Sequence, residues 1–446
     1  MKYFGTDGIR GVANKELTPD LAYRAGFAAA SVLTKNLSHR CKIFIGRDTR
    51  ISGNMLECAL AAGICAAGAD VYFLGVLPTP AVAYLTVKHK ADAGVVISAS
   101  HNPFEHNGIK IFGGNGYKLS DAVEEEIESV IDNMPNELKT DGDIGITVDF
   151  KEEGASEYAK HIVSCVKGDL SRIKAVIDCS NGAASGTAEL IFKALGVEYH
   201  LVHCKPDGVN INENCGSTHI ENLSAKVVEG GYDIGVAFDG DADRCLMVDD
   251  RGNIIDGDLI MGTLARYMKK KGILKGGVVA TIMSNLGLHT YLKNHGIDIL
   301  TTKVGDRYVL EEMVKKGYNI GGEQSGHMIL SDYATTGDGE LTAVKFLEML
   351  KDTGRKASDI TGEIEIYPQI MINVPVPNDR KKTIADREEV KKIAEEIKSV
   401  FGDKGRVLIR PSGTEAKVRV MVEGDDIEKV KMFAQKAADT VKAIAE

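Results

Sequence analysis

One pattern recurs three times along the chain and restricts what it can fold into. An apolar strand runs into a small, polar loop and a helix at KIFIGRDTRISG (42–53), KAVIDCSNGAASG (174–186) and GVVATIMSNLGL (277–288). A second strand follows at DVYFLG (70–75), VEYHLV (197–202) and DILTTKVG (298–305). After another helical stretch a third strand ends in a polar loop, at AGVVISASHNP (93–103), DIGVAFDGDADR (233–244) and YNIGGEQSGH (318–327). Short strands alternating with amphipathic helices mark an α/β protein. Three copies of one strand–helix–strand–helix–strand unit predict three similar α/β domains. From about residue 368 the pattern changes to a strand, a Glu- and Lys-rich helix over 385–400, the strands RVLIRPSGTE and KVRVMVEG, and a last helix over 425–445. That is a smaller C-terminal α+β domain. Polar stretches near 134–154, 249–258 and 362–369 separate the units, giving expected domains at 1–152, 153–252, 253–366 and 367–446.

Several partner classes are disfavoured by composition. Fifty-four basic against sixty-four acidic residues give a net charge of −10, so nothing draws the surface to nucleic acid or an anionic membrane. Trp is absent and aromatics are few, which argues against base-stacking platforms. The eight cysteines are scattered without a CxxC pair, so a zinc or disulfide framework is not expected. The N-terminus MKYFGTDGIRG has no apolar signal core, and no uninterrupted apolar run reaches the roughly 18 residues of a membrane span. The expected compartment is cytoplasmic.

In open parallel sheets, ligands gather at the carboxyl ends of the strands. Three such loops here carry chemistry. In SASHNP, Ser100 is followed by His101 and, ten residues on, by Lys110; both are able to move a proton from a hydroxyl that is a poor nucleophile unaided. A turn closed by Ser and Asn-Pro is the plain alternative. In DGDADR, Asp239, Asp241 and Asp243 alternate and are able to converge on one hard cation, a solvated acidic loop being the plain alternative. An EF-hand also opens D-x-D-x-D, but here Arg244 stands where the loop needs Gly and Asp250 where it needs Glu. A few protein oxygens with room left over suit Mg²⁺ shared with a phosphate. In GGEQSGH, Glu323, Ser325 and His327 suit vicinal sugar hydroxyls, a His and Glu paired structurally in a turn being the plain alternative.

Further along, RPSGTEAKVRV offers Arg410, Ser412, Gly413, Thr414 and Arg419 as phosphate donors, with a β-turn capped by an exposed arginine as the plain alternative. Thr6 and Arg10 in FGTDGIRG, Arg47 and Arg50 in GRDTR, and Lys303 and Arg307 in KVGDR add donors and cations in Gly-rich loops.

SASHNP, DGDADR, GEQSGH and RPSGT, in that order and across the whole chain, resemble the α-D-phosphohexomutase superfamily. The resemblance implies four domains around a central cleft, the last one hinging over the substrate, and a phosphosugar mutase with a small-molecule phosphosugar as partner. Within the superfamily, GGEQSGH, KVGDRYV and RPSGTE lean toward the branch acting on glucosamine phosphates, over mannose or glucose phosphates, with Gln324 the discriminating residue. Ser100 would carry a phosphoryl group and, with Asp239, Asp241 and Asp243, hold one Mg²⁺; Arg244 would lie beside that phosphate. Lys110 and His101 would shuttle protons. Glu323, Ser325 and His327 would hold the sugar, and Arg410, Ser412, Gly413, Thr414 and Arg419 the phosphate not being transferred. A hexosamine 1,6-bisphosphate activator and a homodimer are also implied. Two departures stand out: Ala242 where DGDGDR is usual, and Ala416 where GTEP is usual. Ala242 is expected to be harmless, with φ below zero. A non-catalytic phosphosugar-binding protein is the rival from another class.

Overall fold

The computed structural model describes residues 2–445 apart from Thr6, Asn36, Asn136, Glu137, Gly413, Thr414 and Glu415. The expected Thr6, Gly413 and Thr414 positions therefore lie outside the described residues.

The threefold repeat is real in space. In the first sheet, strand Lys42–Arg47 lies between the parallel strands Asp70–Val76 and Ala93–Ile97, and Ala93–Ile97 then pairs antiparallel with His106–Gly113. The second sheet repeats the order, with Lys174–Asp178 between Glu198–Val202 and Ile234–Phe238, followed by antiparallel Cys245–Asp249. So does the third, with Val278–Thr281 between Ile299–Thr302 and Ile320–Gly322, followed by antiparallel Met328–Leu330. The sheets are mixed, as expected. Each third strand is buried along its whole length, which explains its unbroken apolar run.

Two polar stretches do more than connect. Within 134–154, strand Thr147–Asp149 adds a parallel edge to Asp70–Val76. Within 249–258, Ile254–Ile255 pairs with Cys245–Asp249, and Asp256 caps helix Gly257–Lys270 by accepting from the N–H groups of Asp258 and Leu259. Strands Phe4–Gly5 and Gly8–Val12 complete the first sheet beyond His106–Gly113, carrying the FGTDGIRG loop to it.

By contact, residues 1–282 and 297–362 form one unit, and residues 283–296 and 363–446 a second. The second holds a three-stranded antiparallel sheet in the order Gln369–Pro375, Lys417–Gly424, Gly405–Pro411. Helices Glu388–Phe401 and Ile427–Ala445 supply Ile397, Val430 and Phe433 to a core shared with Val418, Val420 and Val422. Helix Leu286–Asn294 belongs to this unit: Asn285 exchanges two hydrogen bonds with the Tyr367 backbone, and the Leu286 N–H donates to Glu423. Among the described residues no helix is long and apolar enough to cross a membrane.

Candidate active site

Strand Ala93–Ile97 delivers the chain to Ser98 and Ser100, both fully buried. Ser98 is a brace: its hydroxyl donates to Asp48 at 2.6 Å and accepts from the Ser100 N–H at 2.9 Å. Asp48 also holds Arg50 at 2.9 Å, and the buried guanidinium donates to the carbonyls of Ser100, Asn102 and Pro103. Arg50 thus shapes the serine loop from behind and does not serve as a free cation for substrate. Arg47 is likewise committed, to Glu57 at 3.1 Å. Ser100 itself has φ +54°, a left-handed conformation that a non-glycine residue adopts only where its surroundings impose it.

The second sheet brings DGDADR against that loop. Gly240 permits the approach, since a Cβ there would stand 2.6 Å from the Ser100 carbonyl oxygen. Ser100 Oγ then donates to Asp239 Oδ2 at 2.6 Å. Asp241 Oδ2 accepts from Thr79 Oγ1 at 2.6 Å and from Lys110 Nζ at 2.7 Å. Asp239, Asp241 and Asp243 each offer an oxygen within 4.8 Å of the others. Burial, with repulsion from Asp243 and Asp241, pushes the Asp239 carboxyl well above its usual range. Burial works the same way on Asp243, but Lys110 and His327 outweigh it and hold that carboxyl low. Asp241 Oδ1 and Asp243 Oδ1 are buried and accept no hydrogen bond. Two buried acceptors left open among three carboxylates fit a hard divalent cation.

Ala242 has φ +54°, so the expectation that it sits comfortably is corrected. The loop must reverse within a few residues for alternate carboxylates to converge. The left-handed residue that glycine usually supplies is here an alanine, fully buried.

His101 lies beside the serine, with Nδ1 3.5 Å from Ser100 Oγ and 3.1 Å from Arg244 Nη1. Burial, then Arg244 and Arg10, press its pKa down to about 4, so the ring is neutral and the guanidinium donates to Nδ1. Lys110 is its opposite. Burial would discharge it, but Asp241, Asp7 and Asp243 outweigh that cost and keep the ammonium charged.

A groove of about 490 Å³ opens beside these groups, lined among others by Arg10, Asp243, Arg244, Arg307, Glu323 and His327. Arg10 pairs with Asp7, and Arg307 with Asp121 and Glu311. Glu323 Oε1 accepts the Gly305 N–H at 2.9 Å, which fixes the KVGDR turn against the GGEQSGH loop. His327 is buried between Asp243 and Asp306, at 3.6 and 3.7 Å. Those carboxylates outweigh burial and lift its pKa to about 9, whereas the Gly337 N–H, aimed at Nε2 at 3.2 Å, favours the neutral ring. A cation on Asp243 would weaken the first influence and leave the second. Ser325 and Lys303 are exposed and do not line the groove.

In the second unit Arg410 and Arg419 face each other across the ladder, and Ser412 is buried with its N–H on the Lys417 carbonyl. Burial and Arg419 together lower the Arg410 pKa.

Sequence reading missed Asp7, Lys118 and Asp306, which join Lys110 and His327 in one chain of charges. Asp7 and Asp306 sit inside motifs already noted for Thr6, Arg10, Lys303 and Arg307. Lys118 lies in no motif, and only the fold brings it there.

Descriptions of phosphoglucomutase/phosphomannomutase alpha/beta/alpha domains I, II and III match residues 1–137, 156–252 and 256–367, and that of the C-terminal domain matches 371–440. The chain belongs to the phosphoglucomutase/phosphomannomutase family. Among its relatives, the phosphoglucosamine mutase of Ruminiclostridium cellulolyticum is 53% identical, the alignment covering 99% of this chain and 98% of the relative. That of Acetivibrio thermocellus is 51% identical over 100% and 99%. A solved phosphoglucomutase/phosphomannomutase family protein from Burkholderia thailandensis superposes with a TM-score of 0.83 at 25% identity, covering 99% of this chain and 98% of its own.

Proposed function

We propose that the chain is an isomerase, a phosphoglucosamine mutase that interconverts glucosamine 6-phosphate and glucosamine 1-phosphate through phosphoserine at Ser100 and a 1,6-bisphosphate intermediate. The observation that carries this reading is the Ser100 hydroxyl held on Asp239 within three buried carboxylates, two of whose oxygens accept no hydrogen bond. One Mg²⁺ held by Asp239, Asp241, Asp243 and the phosphorylated Ser100 would supply positive charge against the phosphoryl oxygens.

In our reading the chain's own groups do the rest. A sugar hydroxyl attacks phosphorus as the bond to Ser100 Oγ breaks. The hydroxyl proton leaves to a neutral base and the serine oxygen regains one from an acid. His101 and Lys110 would be the proton shuttles between the sugar hydroxyl and the serine oxygen, and their acid and base roles would reverse when the bisphosphate returns its other phosphoryl group to Ser100. Arg244 would steady the transferring group; Glu323 and His327 would hold the sugar, with Arg10 and Arg307 at its margins, and Ser325 and Lys303, exposed outside the groove, would join only from the loops that flank it. Arg410, Ser412 and Arg419, with Gly413 and Thr414, would take the other phosphate. The segments 1–152, 153–252, 253–366 and 367–446 are then the phosphoserine, metal, sugar and phosphate domains. Activation by hexosamine 1,6-bisphosphate, a cytoplasmic location and a homodimer complete the proposal.

One observation favours a broader specificity. The Gln324 amide donates to Asp256 at 3.3 Å, so it braces a helix cap as well as standing in the sugar loop. A panel of kcat/KM values for glucosamine, mannose and glucose 6-phosphates, each with Mg²⁺ and its activating bisphosphate, decides between the readings. A strong preference for the amino sugar is the expected result. Comparable rates on mannose or glucose would assign a general hexose mutase, and no isomer from any of them would leave only a binding protein.

A further inference from the structure

Six side chains from all three repeats close a ring in which acidic and basic groups alternate. Lys110 Nζ lies 3.5 Å from Asp243 and 3.3 Å from Asp7; Lys118 Nζ lies 2.5 Å from Asp7 and 2.6 Å from Asp306; His327 completes the circuit between Asp306 and Asp243. We propose that Lys118 and Asp7 are positioning residues for Lys110, setting where its ammonium stands relative to the reacting oxygens. This inference rests on the mutase reading.

Asp7 lies in the tight turn between strands Phe4–Gly5 and Gly8–Val12, and its two oxygens are shared by three cations. Lys118 takes Oδ1, which leaves Oδ2 to Lys110 and Arg10. Asp241 and Asp243 also hold Lys110, but a cation on the triplet draws on both of them. Among the described residues Asp7 is then the carboxylate that answers Lys110 from outside the triplet, and its own place depends on Lys118. Lys118 is anchored in turn by Asp306, the first residue of helix Asp306–Lys316, which lines the groove. The ring thereby ties the proton-transfer lysine to the wall of the sugar site. Stability alone is a poor reason to keep such a ring, because buried ion pairs often gain little over apolar packing of the same volume.

The test is steady-state kinetics and melting of Lys118→Met, Asp7→Asn and the double variant against wild type. A misplaced proton-transfer group lowers turnover more than binding, so kcat should fall at least ~10-fold with KM held within ~3-fold. The double variant should be no slower than the worse single one, because both changes break the same link. An unchanged kcat with a lowered Tm would reduce the ring to a structural ion-pair cluster and overturn the proposal, as would a loss confined to KM or fully additive losses in kcat. Asp7→Asn preserves volume and carries the same expectation should Lys118→Met fail to accumulate. An inactive wild type would overturn the mutase reading instead, before any variant is compared.

Discussion

Ser100 and Ala242, the two residues that most shape the reactive corner, share a left-handed backbone. For Ser100 the conformation is imposed by Arg50 and Asn212, whose side chains grip its carbonyl at 2.9 and 3.0 Å. For Ala242 it follows from the reversal that gathers the aspartates, with the Asp239 carbonyl accepting the Ala242 N–H at 3.1 Å. A non-glycine residue in this region costs about 1–2 kcal/mol. The buried methyl repays about 0.8 kcal/mol of that. Ala242→Gly should therefore stabilise the protein by somewhat under ~1 kcal/mol, read as a raised denaturation midpoint at unchanged slope. A lowered midpoint would mean that methyl packing dominates. The sequence shows that position 242 departs from the usual glycine, but not its φ, because a backbone angle is set by the contacts on either side of the loop.

At the scale of elements, the three third strands were legible for a simple reason. Each is buried on both faces and reads as an apolar run, and each stops at polar residues that the fold then uses. Their supports were not legible. Asp48 and Arg50 end a different strand, and nothing local says that Arg50 will turn inward to hold Ser100, Asn102 and Pro103. The same holds for Lys118 and Asp306, 188 residues apart along the chain and 2.6 Å apart in space. Ion pairs of this kind have no periodicity. Arg50→Ala should be severe, since it strands the buried Asp48 carboxylate and frees three carbonyls of the serine loop. A loss of about 3–5 kcal/mol is expected, measurable by denaturant unfolding, with turnover falling in whatever folds. A loss below ~1 kcal/mol, within the range of an exposed pair, would mean the brace is not what holds the loop.

Across the whole molecule, three sheets with one strand order place three unlike loops at equivalent strand ends. The first supplies a hydroxyl, the second carboxylates, the third a glutamate and a histidine, and one unit assembles them. The internal repeat announced that design before any residue was assigned a task. Sugar specificity is harder to read, because it depends on which faces of Glu323, Gln324 and His327 reach the groove, and Gln324 proves to be bonded to Asp256.

The central claim is that the phosphoryl group passes through Ser100. Ser100→Gly tests it most directly, because glycine accepts φ +54° and the change removes the hydroxyl without straining the loop. The measurement is the rate of glucosamine 6-phosphate to 1-phosphate conversion by this variant, with Mg²⁺ and bisphosphate present and melting behaviour matched to wild type. The account predicts that turnover falls by at least ~10³-fold, as for loss of a covalent nucleophile. Turnover within a few-fold of wild type would contradict it and require another route for the phosphoryl group.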